Sequence, residues 1–138
     1  MSSVTKRFQS QHRFTVLDKI LDLYEHTTTV TANPKFSSFP SLADRLNNEA
    51  ALIYHCCRVA NEELDARVKE EAEMRIKLQD EALKHCSWLK TDIRLAQGKY
   101  HLRAKKVCYW DELANTAVKY IKAWQASEKK AYKENYGL

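Results

Sequence analysis

Three features of this sequence predict an all-α fold, an antiparallel up-and-down four-helix bundle. Its 138 residues include two glycines and two prolines, too few for a sheet protein with many tight turns. Ala, Leu, Glu, Lys and Arg, which enter helices at little cost, dominate the composition. Apolar residues recur at helical spacing, most clearly at Val107, Trp110, Ala114, Ala117, Ile121 and Trp124, where steps of three and four alternate. A chain of this length supports one core and therefore one domain.

Residues 1–14 are polar and read as a flexible basic arm carrying Lys6, Arg7 and Arg13. A first helix starts at Thr15, with Asp18 three residues on, and its apolar face is Leu17, Ile20, Leu21, Tyr24 and Thr28. It fades in the β-branched run 27–31. The segment from Asn33-Pro34 to Phe39-Pro40 is a break, because each proline biases its predecessor away from helix.

Ser41 is the expected cap of helix two, whose seam is Leu42, Leu46, Ile53, Cys57, Ala60 and Leu64. Helix three is expected from about Arg67 to Gln97, with Ala72, Ile76, Leu83, Cys86, Leu89, Ile93 and Ala96 inward. Its acidic opening turns suit the positive end of a helix dipole, and Gly98 is the expected stop. Helix four spans about His101 to Lys133. The bundle domain is thus 15–134, with 135–138 a frayed tail.

Cys56, Cys57, Cys86 and Cys108 all fall inside expected helices and do not form a disulfide framework. Neighbouring helix residues diverge by about 100°, so His55-Cys56-Cys57 and His85-Cys86 do not have metal-ligand spacing. No metal or other cofactor is expected. The carboxylate runs at Glu62, Glu63, Asp65 and Glu70, Glu71, Glu73 lie off the seams and lack the Glu-x-x-His pattern of di-metal bundles. No glycine-rich phosphate loop or nucleophile elbow occurs, so catalysis has no support. The N-terminal residues lack the apolar run of a signal peptide, and no segment has the roughly 18–20 apolar residues of a membrane span. A cytoplasmic protein with reduced thiols is expected.

Charge is divided unevenly. Residues 1–83 carry 11 Lys and Arg against 13 Asp and Glu, whereas residues 84–138 carry 12 against 5. The basic half suits a polyanion. Lys90, Arg94, Lys99, Arg103, Lys105 and Lys106 gather around the connection between helices three and four, and Lys119 and Lys122 follow on helix four. Tyr100, His101 and Tyr109 stand beside them as candidate base-stacking residues. Binding by such a surface is mostly electrostatic and carries little sequence information. Part of the charge has a structural use, since cations complement a helix C-terminus and Arg94 is placed to form an ion pair. The residues alone leave nucleic acid, a protein partner and a merely solvated surface open.

The segments Ile93-Arg94-Leu95-Ala96, Lys106-Val107-Cys108-Tyr109-Trp110 and Lys119 to Trp124 (KYIKAW) resemble a four-helix-bundle family. Ile20 to Tyr24, and Phe39-Pro40 followed by Leu42 and Leu46, resemble its first helix and linker. The likeness covers most of residues 16–127. The family comprises accessory variability determinants of diversity-generating retroelements and proteins encoded within 23S rRNA intervening sequences. Helix two reads IYHCCRVANEEL in place of the intervening-sequence signature, which favours the retroelement branch. The family's glycine pair before the last tryptophan is here Lys122-Ala123.

The resemblance implies a ring-like homo-oligomer, a pentamer, with a basic surface that binds a reverse transcriptase and template RNA or an RNA/DNA hybrid. Such a protein supports mutagenic retrohoming without being the catalyst. Lys90, Arg94, Lys99, Arg103, Lys105 and Lys106, with Lys119 and Lys122, would then contact RNA or the polymerase. An RNA-associated intervening-sequence protein and a helical protein–protein adaptor are the alternatives.

Overall fold

Each apolar stripe needs another to cover it, and four stripes cover one another here. The structure, a computed structural model, describes the backbone of residues 3–138 and the side chains of residues 15–138. It contains α1 (Ser3–Thr31), a 3-10 turn (Pro34–Ser38), α2 (Pro40–Glu62), α3 (Lys69–Lys99) and α4 (Ala104–Tyr136), with no strand among the described residues. The side chains of the expected arm, Lys6, Arg7 and Arg13 among them, lie outside the described residues.

The helices follow one another around the core, with α4 closing against α1. Side-chain pairs define the directions. The start of α2 meets the end of α3 through Arg45 and Asp92. The start of α3 meets the end of α4 through Arg75 and Glu128. The start of α4 meets the end of α1, where Trp110 Nε1 donates to the Thr27 hydroxyl at 3.0 Å. Neighbours are therefore antiparallel, as short links require.

The α4 stripe is buried at all six expected positions. The α2 seam is buried from Leu42 to Ala60, with Leu64 beyond the helix end and half-buried. The α1 face is rotated from expectation: Val16, Leu17, Ile20, Leu23, Thr27 and Val30 are buried, whereas Thr28 is exposed. Thr27 belongs inside because its hydroxyl donates to the Leu23 carbonyl at 2.8 Å while accepting from Trp110. In α3 the early inward positions are Ala72, as expected, with Arg75 and Gln79, whereas the expected Ile76 and Leu83 are half-buried at the edge of the stripe.

Helix boundaries differ in instructive ways. Thr15 lies within α1, which extends upstream of it. Helix α2 begins at Pro40 with Phe39 as its cap, so Ser41 sits exposed inside the first turn. Proline is suited to that first position, where its missing N–H has no intrahelical acceptor. Helix α4 continues past Lys133 because the Tyr136 hydroxyl donates to the Ala66 carbonyl at 2.7 Å, and Gly137 supplies the left-handed cap at φ 69°. Gly98 does not stop α3. The chain reverses at His101, with φ 55°, between buried Tyr100 and Leu102. Packing of those two side chains imposes the left-handed residue where the sequence has no glycine.

The two ends are sealed differently. At one, Phe36 of the 3-10 turn packs on Tyr100 with ring centroids 4.0 Å apart, and the Tyr100 hydroxyl donates to the Phe39 carbonyl. At the other, Arg75 is 1% exposed and donates to Glu128 at 3.0 and 2.5 Å. Its remaining nitrogen donates to the Ala60 carbonyl and to the Leu64 carbonyl at 3.0 Å. Tyr132 closes the cluster by donating to Glu128 at 2.6 Å.

Thr27→Val preserves shape but leaves the Trp110 N–H without its acceptor, so chemical denaturation should register a loss of about 1–3 kcal/mol. Gly98 has no atom near the position a Cβ would take, whereas His101 holds a conformation glycine prefers. Gly98→Ala and His101→Gly should each add roughly 0.5–1 kcal/mol, read as a rise of a few degrees in Tm.

Candidate nucleic-acid interface

Residues on facing helices share a groove only where antiparallel register brings their outward flanks together. One such groove, of about 540 Å³, runs between α3 and α4. Leu83, Lys84, Ser87, Lys90, Thr91 and Arg94 line it from α3, and Val118 and Lys122 from α4. The spacing 83, 87, 90, 94 is one flank of a helix, and Val118 and Lys122 are one turn apart on the other wall.

The groove contains four cations, two hydroxyls and no carboxylate. Lys84 is bound to Glu81 at 2.8 Å on the outer rim. Lys90, Arg94 and Lys122 have no ion-pair partner among the described residues. Among the described residues the ion pair expected for Arg94 is therefore absent. Three uncompensated charges above an aliphatic floor raise the local positive potential and attract phosphate.

The eight expected cations divide into groups. Lys90, Arg94 and Lys122 meet in the groove. Lys99, Arg103, Lys105 and Lys106 are exposed around the α3–α4 link, where Lys99 Nζ lies 5.2 Å from the Phe39 ring centroid. Lys119 is exposed on α4 but does not line the groove. Lys105 and Lys106 occupy the first turn of α4, which has no acidic residue and no side-chain cap. Cations there oppose the helix dipole, so helix stability does not account for them.

The aromatic expectations are corrected in part. Tyr100 is buried against Phe36 and Phe39 and is unavailable to a base, because its hydroxyl finds an acceptor inside the bundle end. His101 and Tyr109 are exposed. Tyr109 stands 5.0 Å from the His26 ring, edge to face, beside a second groove of about 380 Å³ between α1 and α4. Asp22 and Glu25 line that second groove, so it does not extend the basic surface. Burial, then nearby Lys106, lowers the His26 pKa.

Lys84, Ser87 and Thr91 were not among the expected site residues. Their signal was the i, i+3, i+7 spacing of Lys84, Ser87 and Thr91 alongside Lys90 and Arg94, a polar stripe next to the inward one. Trp88, half exposed on the same outer side, was missed too.

Three of the four cysteines are packed inside, and Cys108 is exposed. Burial pushes the Cys86 thiol up to about 12, and Cys56 and Cys57 are raised for the same reason. These are protonated, packed thiols, and no disulfide joins the four cysteines. Among the described residues no three His, Cys, Asp or Glu side chains are grouped as metal ligands, and no helix is long and apolar enough to cross a membrane. Between α2 and α3, Arg45 donates to both Asp92 oxygens at 2.8 and 2.9 Å, and the buried Glu49 carboxyl adjoins the same Asp92. Burial, then the adjoining Asp92, pushes Glu49 up to about 8, while the Arg45 hydrogen bonds hold Asp92 below its usual range.

No protein family, curated protein or solved structure matches this chain.

Glu49 binds its proton more tightly folded than unfolded. Its stabilising contribution is complete below the ordinary carboxylate range and is lost as pH rises through about 8. Asp92 has the opposite sign, and its contribution disappears as pH falls through the carboxylate range. Denaturation across pH should therefore show stability declining from mildly acidic to mildly alkaline conditions, and Glu49→Gln should flatten that decline. An identical slope in the variant would remove Glu49 as its origin.

Proposed function

We propose that this chain is a non-enzymatic nucleic-acid-binding protein that acts as an accessory factor to a reverse transcriptase. The observation that carries the binding reading is the α3–α4 groove, in which Lys90, Arg94 and Lys122 lie together with no carboxylate opposing them. Phosphate oxygens supply the charge those groups lack, and Ser87 and Thr91 supply hydroxyl donors of the kind that commonly contact nucleic-acid backbones. Lys99, Arg103, Lys105 and Lys106 extend the positive surface around the neighbouring link. Such contacts hold a strand in place without reading its sequence.

The retroelement role rests on the resemblance of most of residues 16–127 to accessory variability determinants. In this reading the bundle assembles as a homopentameric ring and presents template RNA to the polymerase. Repetition of the groove around a ring turns modest affinity per protomer into avidity. Copying chemistry belongs to the partner. The chain supplies placement and charge.

Fluorescence polarisation with a labelled RNA, at low and at physiological salt, tests the groove. Arg94→Glu with Lys122→Glu should weaken binding by roughly tenfold or more and flatten its salt dependence. Arg103→Glu with Lys106→Glu should weaken it in the same direction, with helicity and Tm nearly unchanged in both. Unaltered affinity in the first pair rejects the groove. Purification from the native host should recover a reverse transcriptase with a discrete noncoding RNA, and light scattering should give the mass of five chains. Ribosomal particles in place of the polymerase would favour the intervening-sequence branch.

A further inference from the structure

A groove that binds only phosphates treats single and double strands alike, apart from their charge density and shape. The neighbouring surface of α3 adds something phosphates cannot use. Trp88 is 50% exposed, whereas Trp110 and Trp124 are 0% and 4% exposed. An exposed indole in mid-helix serves no core. It follows Ser87 of the groove wall directly, and the helical step of about 100° places it on the outer crest of α3 beside that wall.

Two neighbours hold the indole in position. The His85 ring packs edge-on against it, with centroids 5.1 Å apart and planes at 88°. Lys84 Nζ lies 5.2 Å from its centroid, and Lys84 also lines the groove. The His85 side chain, 12% exposed, is itself anchored in the bundle, so the platform loses little freedom on binding. Lys84 is thus the connection between the ring and the cationic channel. Its ammonium group lies over the indole and is paired with Glu81 at 2.8 Å, while its stem borders the groove.

We infer that Trp88 is a base-stacking platform, and that the groove with Trp88 forms a site for single-stranded nucleic acid bearing an unpaired base. This inference rests on the reading of the groove as a phosphate channel. Phosphates of the strand lie over Lys90, Arg94 and Lys122, and one base turns outward across the crest of α3 onto the indole. In a duplex the bases are paired and stacked inside, so the same groove gains nothing from Trp88. Single-strand selection follows without any reading of base identity, since every base offers a π-face.

The test uses the full chain and three probes: a uridine 20-mer, an abasic phosphodiester 20-mer of equal charge, and a blunt RNA duplex. The uridine strand should bind most tightly and quench tryptophan fluorescence, which reports on Trp88 because the other two indoles are buried. Trp88→Ala should weaken uridine binding by about fivefold or more and leave the abasic strand and duplex unaffected. Trp88→Phe should recover part of the loss. Equal affinity for the uridine and abasic strands, or an unaltered Trp88→Ala, overturns the stacking platform while the phosphate groove stands. If the wild type binds none of the three, the groove reading fails and the platform with it. A Tm for Trp88→Ala matching the wild type separates loss of stacking from loss of fold.

Discussion

The buried guanidinium of Arg75 is the constraint on which one whole end of the molecule depends. It is almost completely removed from water, and a buried charge is tolerable only when its hydrogen bonds are filled. Glu128 neutralises it, Tyr132 extends the cluster, and the Ala60 and Leu64 carbonyls accept from its remaining nitrogen. Those carbonyls belong to the last turn of α2 and the link beyond it, where orphan acceptors need partners. Arg75 therefore serves both as a cap for α2 and as the pin that sets α3 against α4. Trp124 lies beneath it, with its ring centroid 5.8 Å from the guanidinium carbon. Removing one partner from such a pair costs about 3–5 kcal/mol, much more than a surface ion pair contributes.

The opposite end is sealed by aromatic packing. Phe36, Tyr100 and Leu102 fill it, and the 3-10 turn brings Phe36 into place because Asn33 accepts from the Lys35 N–H at 3.0 Å. The contrast has a functional consequence. Where the bundle is closed by apolar groups, the surrounding cations need no structural partners, and Lys99, Arg103, Lys105 and Lys106 stay exposed. Where it is closed by an ion pair, the charges are consumed internally. Uncompensated cations thus stand around the aromatic end and along the α3–α4 groove.

Between the ends, polar groups in the core specify pairing. Thr27 receives the Trp110 N–H across α1 and α4, and Gln125 donates to Asp80 at 2.8 Å across α4 and α3. Arg45 and Asp92 do the same for α2 and α3. A register slip would leave the buried members of these pairs, Thr27, Trp110, Gln125 and Asp92, without partners. That penalty favours one alignment over the near-equivalent alternatives open to aliphatic stripes. The same alignment holds Lys122 opposite Lys90 and Arg94, so the specificity of the core is what assembles the candidate site.

The number of helices, their links and the basic character of the second half were legible in the sequence, because each depends on local composition and on spacing along one helix. The six-residue stripe of α4 is the clearest case: every member is apolar, and every member is buried. Other features escaped for physical reasons. A helix in a bundle borders two neighbours, so its buried arc is wide and its edges are set by those neighbours, which is why Leu23, Thr27 and Val30 took the place expected of Leu21, Tyr24 and Thr28. Arg75 and Gln79 point inward although their residue types predict the surface, since only the assembled bundle supplies the partners that make Arg75 burial possible. Tyr100 turned inward towards a carbonyl 61 residues away in sequence. The sequence by itself thus determined which residues carry charge and which helix each belongs to. Only tertiary structure decided which cations face a common groove, because that depends on the antiparallel register between α3 and α4, which buried pairs far apart in the chain set.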